Sequence, residues 1–139
     1  RLSYNLSGGL FFNQHNMYFA DFSYFAKRYF PEPWGDRFGG IFHNLGGGWC
    51  HASDKYIQGH LMYESPFILL RFLKPNPKAH KYLVSERFYL SQLWTPVLPN
   101  YSELGYGIGS DLFHIALFLG FEKFKYQSVG LKFALELFR

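Results

Sequence analysis

Residues 126–138 read YQSVGLKFALELF, in which Val129, Leu131, Phe133, Leu135 and Leu137 alternate with Ser128, Gly130, Lys132, Ala134 and Glu136. Successive side chains of a strand point to opposite faces, so this stretch predicts a strand with one apolar and one polar side. A tilted strand crosses a lipid bilayer in about 9–11 residues. This stretch is that long, and the expectation is the closing strand of a transmembrane β-barrel.

Working back from it, the same alternation returns. Leu112–Phe121 sets Phe113, Ile115, Leu117, Leu119 and Phe121 against His114, Ala116 and Gly120, with a short turn at Glu122–Lys125. Tyr101–Ile108 sets Leu104, Tyr106 and Ile108 against Glu103, Gly105 and Gly107. Tyr82–Thr95 reads as a long strand stopped by the prolines of TPVLPN, and Tyr56–Glu64 as another. At the front, residues 2–12 alternate, with a bulge or bend expected at Gly8–Gly9. Met17–Phe25 is a second strand, and residues 38–50, broken by five glycines, are read as a glycine-weakened one. The fold class is therefore all-β, an antiparallel meander of about seven to eight strands.

Two loops interrupt it. Residues 26–37 carry two prolines, and Tyr29, Phe30 and Trp34 suit either a membrane–water boundary or packing on the domain itself. Residues 66–81 hold a short apolar run followed by Lys74, Lys78, His80 and Lys81. That layout fits an interfacial segment or a buried helix closing a soluble barrel.

Composition narrows the partners. Aromatic residues reach 22% while charged residues are only 17%, below the roughly 25% of ordinary soluble domains. Mean hydropathy is nevertheless −0.13, because interleaved polar residues hide apolar strands from an average. No run long enough for a transmembrane helix exists. The net charge of +4 and pI near 9.2 come from scattered basic residues, so nucleic acid is not an expected partner. A lone cysteine, Cys50, excludes an internal disulfide. The first residues, RLSYNLSGGLFF, lack the layout of a signal peptide, and residues 1–139 are expected to be the C-terminal piece of a longer chain.

A soluble barrel turns its apolar side inward and a membrane barrel turns it outward. The polar sides of the last three strands are small and sparsely charged, which favours lipid outside. Glu103, His114, Lys132 and Glu136 are then expected to face the lumen. A lipocalin-like soluble barrel binding an apolar ligand is the alternative.

Ser128 to Leu135, SVGLKFAL, resembles the C-terminal assembly signal of outer-membrane barrels, with Ser128, Gly130, Phe133 and Leu135 at its defining positions. The usual final aromatic is displaced, since Phe138 has the opposite parity and Arg139 follows it. DKYIQGHLMYESPF (54–67), ERFYL (86–90), YSELGYGIGSDLFHIALF (101–118) and VGLKFALELF (129–138) together resemble a family of outer-membrane barrel proteins of unassigned function. Its members usually carry an N-terminal carboxypeptidase-regulatory-like domain, which nothing here matches and which implies no peptidase activity. The resemblance covers residues 54–138 well and the first third loosely. It implies the C-terminal part of a larger barrel in the outer membrane of a Gram-negative bacterium, with a transport, receptor or scaffold role. The implied partners are the lipid bilayer, the barrel-assembly machinery and other outer-membrane proteins.

Catalytic chemistry is not expected. His15, His43, His51, His60, His80 and His114 show no metal-ligand spacing, and only His43, His51 and His60 are placed to approach one another across a hairpin. Gly46–Gly48 lacks the Lys-Ser/Thr of a phosphate loop, and no Gly-x-Ser-x-Gly elbow occurs. No catalytic residue, metal or cofactor is assigned.

Overall fold

The alternating stretches form six strands: β1 (Leu2–Leu10), β2 (Lys55–Ser65), β3 (Ser85–Trp94), β4 (Tyr101–Gly109), β5 (Phe113–Glu122) and β6 (Lys125–Leu135). This is a computed structural model, and it describes residues 1–10, 38–45, 55–66, 69, 85–96, 98–110 and 113–135. The strands pair antiparallel in chain order, β1-β2-β3-β4-β5-β6, as one open sheet. Among the described residues the count is six rather than seven to eight, β1 and β6 are free edges, and the sheet is not closed into a barrel. No helix among them is long and apolar enough to cross a membrane.

Two expectations are corrected. Residues 38–45 contain no strand; they run through turns and bends. Their apolar side chains follow no period because they pack into two separate clusters on the sheet. Phe42 and Leu45 join Leu93, Leu98 and Tyr101, whereas Phe38 joins Met62, Tyr89, Ala116 and Phe118. Gly8 and Gly9 form no bulge, since β1 stays in register with β2 through Gly8↔Ile57 and Gly9↔Tyr56. Gly9 is needed for room instead: a Cβ there would strike the Tyr56 ring. The irregularity lies between Gly120 and Phe121, where Ser128 and Tyr126 are the β6 partners and Gln127 is the extra residue. The expected strand at 17–25, the loop at 26–37 and all of 66–81 except Pro66 and Leu69 lie outside the described residues.

The β5–β6 hairpin turns on two residues, and both have positive φ, 49° at Lys123 and 64° at Phe124. A two-residue turn of this hand matches the twist of the strands but favours Asn and Gly. Lysine and phenylalanine are held there at roughly 1–2 kcal/mol each. Replacing both, Lys123→Asn with Phe124→Gly, is expected to stabilise the fold by about 1–2 kcal/mol. A raised urea midpoint would register it; an unchanged or lowered midpoint would refute it.

The sheet has two unlike faces. One is covered by residues 38–45, and the core lies between that segment and the sheet. The other carries the apolar ribs and is bare: Leu117 is 45% exposed and Phe133 58%. Rows run straight across it, such as Tyr63, Phe88, Tyr106, Leu117 and Leu131 on successive strands. From Tyr126 to Leu135 the band runs about 30 Å at ~3.4 Å per residue.

Candidate functional site

The covered face concentrates the chemistry. Glu103 has the parity of Tyr101, Gly105 and Gly107, so β4 points it at segment 38–45, where it is 2% exposed. A buried carboxylate is costly unless hydrogen-bonded. Three donors meet it: the consecutive backbone N–H groups of His43 and Asn44 and the Tyr101 hydroxyl, each at 2.7 Å. Two successive N–H groups aimed at one anion form a small concave cradle. Bonds of this charge-assisted kind contribute about 1.5–3 kcal/mol.

Around that grip the segment is fitted to the sheet. The Asn44 side-chain amide donates to the Phe118 carbonyl at 3.0 Å. Asn44 sits where β5 and β6 have no side chain: a Cβ on Gly130 would strike its Oδ1, and one on Gly120 would lie 3.3 Å from its Cβ. The His43 ring stacks on Phe118, with centroids 3.9 Å apart. Its Nε2 lies 2.9 Å from the Phe38 carbonyl, which closes a short ring within the segment. Phe42 is 1% exposed, against the His60 and Tyr101 rings.

A second polar cluster occupies the same face near the opposite strand ends. Arg87 donates to Glu64 through Nε and Nη2, at 3.0 and 2.9 Å, and Ser85 Oγ donates to the same oxygen at 3.0 Å. Arg87 Nη1 reaches the His114 Nδ1 at 2.7 Å. Lys132 lies opposite Ala116 on this face and is partly buried. Glu103, His114 and Lys132 thus share one face, although Glu103 belongs to the cluster under segment 38–45 and His114 to the Arg87 cluster. Glu136 lies outside the described residues. Glu64 and Arg87 were not singled out from the sequence; their opposite charges on paired positions of β2 and β3 were the available signal.

Glu86 is the other residue the pattern concealed. It has the parity of Phe88 and Leu90, which puts a carboxylate on the bare face, yet it is 0% exposed. The Leu69 backbone N–H donates to both its oxygens, at 3.1 and 2.9 Å, and the Tyr106 hydroxyl donates at 2.5 Å. Part of the β2–β3 connection therefore folds over the end of that face. Elsewhere the bare face is grooved. Two shallow hollows of about 310 and 300 Å³ are lined almost wholly by apolar side chains, among them Leu61, Leu90, Leu104, Ile115, Leu117 and Leu131.

The four assembly-signal positions divide between the faces. Phe133 and Leu135 project from the bare face, and Ser128 and Gly130 belong to the covered one, opposite Gly120 and Phe118. Of the histidines, His43 lies against Phe38 and Phe118 and His60 against Phe42, with His60 Nδ1 2.8 Å from Ser91 Oγ; His51 lies outside the described residues. Among the described residues no three of His, Cys, Asp and Glu gather as a metal would require.

Residues 1–108 match the family described as "Family of unknown function (DUF5686) C-terminal domain". The chain belongs to that family. The match takes in the first third, where the sequence resemblance was loose, and runs through β1 to β4. It places the chain in the C-terminal domain of a family whose function is unassigned. No curated protein and no solved structure matches the chain.

Proposed function

We propose that the chain is the C-terminal part of an outer-membrane β-barrel, with a transport, receptor or scaffold role and no catalytic activity of its own. One observation carries the reading: the sheet exposes its apolar ribs, while the charged side chains within the strands, Glu64, Glu86, Arg87, Glu103 and Lys132, are buried or partly buried. Those at the strand ends and the hairpin turn, such as Lys55, Lys123 and Lys125, stay exposed. Soluble monomers rarely expose a contiguous apolar patch beyond a few hundred Å². The bare face spans all six strands, with Leu6, Ile57, Leu90, Leu104, Leu117 and Leu131 exposed along it. A strand of about 30 Å tilted by about 40° stands about 23 Å high, close to the ~25 Å apolar band of outer-membrane barrels. The grooves between the ribs suit acyl chains. On this reading β1 and β6 are joined by further strands of the intact protein.

The soluble, lipocalin-like alternative asks the same ribs to line an interior, and their exposure argues against it. The test is labelling of single cysteines in the full-length protein, expressed in a Gram-negative host in a Cys50→Ser background. Cysteine at Leu117 or Phe133 is expected to react only with a membrane-soluble maleimide, and cysteine at Lys132 with a water-soluble one. Full labelling of Leu117→Cys by the water-soluble reagent, in protein that stays soluble without detergent, would overturn the reading.

A further inference from the structure

We infer that residues 38–45 are a closed gate over the polar face of the sheet, and that Glu103 is the catch that holds it. The gating role rests on the barrel reading; the seat of the segment does not. In a barrel the covered face is the lumen wall, and a segment lying on it narrows the passage. Segment 38–45 touches strands from β2 to β6. Phe42 reaches His60 on β2, Phe38 reaches Phe118 on β5, and Asn44 reaches over Gly130 on β6. It is therefore laid across the wall, whereas a surface loop would end at the strand tips.

Beside the packed rings, two polar contacts of the hold can be altered one at a time. Glu103 accepts the backbone N–H groups of His43 and Asn44, near the end of the segment, and Asn44 fits the gap over Gly120 and Gly130. Both interactions run between the segment and the sheet, so altering them loosens the segment, against the packing of Phe38, Phe42 and Leu45, while the strand ladder stays whole. Glutamine at position 103 keeps the shape and one acceptor but turns an NH₂ group toward an N–H donor. Losing one charge-assisted bond of this kind corresponds to a shift of roughly tenfold in the open fraction.

The experiment uses the full-length protein in a Cys50→Ser background. Asn44 Cβ and Ser128 Oγ both lie within 3.3 Å of the point where a Cβ on Gly120 would stand. Asn44→Cys with Ser128→Cys is expected to form an intramolecular disulfide in the native protein, in detergent or membrane alike. No cross-link would overturn the seat. In planar bilayers, Glu103→Gln is expected to raise conductance roughly tenfold. Adding the oxidised 44–128 cross-link should return it to the closed level, and reductant should raise it again. Asn44→Gly, which leaves the strands untouched, should also open the passage, so a folding defect at Glu103 does not decide the matter. Wild-type conductance in both Glu103→Gln and Asn44→Gly, with the cross-link formed, would remove the gate and leave the barrel standing. A full-length protein that never enters the bilayer would remove barrel and gate together while the cross-link still reports the seat.

Discussion

Arginine in place of Leu117 is expected to destabilise the membrane-embedded protein by about 2–4 kcal/mol, the cost of a cation facing lipid near mid-depth of a barrel. Leu117 lies in the middle of the bare face, between Tyr106 on β4 and Leu131 on β6, with no acidic residue in its row. At 45% exposure it is already outside the protein core, so arginine there meets no steric obstacle. In water such a surface change usually falls within about 0.5 kcal/mol, and the long stem would lie along neighbouring apolar groups. The two surroundings thus predict effects that differ several-fold. Urea unfolding of the full-length protein in phospholipid vesicles measures it, with Lys132→Arg on the covered face as the control expected near zero. A Leu117→Arg variant that unfolds like the wild type would mean that this face does not meet lipid.

The strands were legible because their order is written in local sequence. Leu104, Tyr106 and Ile108 alternate with Glu103, Gly105 and Gly107, and a pleated backbone turns that alternation directly into two faces. The face of Glu103 could be read this way, but its partners could not. Two of its three donors, beside the Tyr101 hydroxyl, are backbone N–H groups some sixty positions earlier in the chain, and every residue but proline has one, so side-chain identity holds no trace of them. Segment 38–45 was misread for the same reason. Its glycines and unperiodic aromatics look like a weakened strand until the sheet supplies separate hollows for Phe38 and Phe42. Glu86 shows the reverse failure: its parity was plain, and the Leu69 N–H and the Tyr106 hydroxyl, which no local pattern announces, show how a carboxylate can stand among apolar ribs.

Gly130 carries two incompatible explanations, and a double substitution separates them. As part of the assembly-signal pattern it is needed while the barrel is being built, whatever the rest of the chain does. As the floor under Asn44 it is needed only because a Cβ there would strike the Asn44 Oδ1. Overpacking of this kind costs about 1–3 kcal/mol, and the obstacle belongs to a side chain that can be shortened. Gly130→Ala alone is therefore expected to slow insertion on the first account and to lower the stability of the folded protein on the second. Combined with Asn44→Ala it is expected to recover most of the loss if the collision is the cause, because the added methyl then occupies the space the amide left. Phe133 provides the contrast: it stands on the bare face, 58% exposed, far from the segment. Phe133→Ala should slow insertion by the assembly machinery without changing the 44–128 cross-link, and Asn44→Ala should not relieve it. Insertion rates in a reconstituted assembly reaction and urea midpoints of the inserted protein resolve the two. Rescue of Gly130→Ala in both measurements would assign the glycine to the seat of the gate; a persistent insertion defect with a restored midpoint would assign it to the signal.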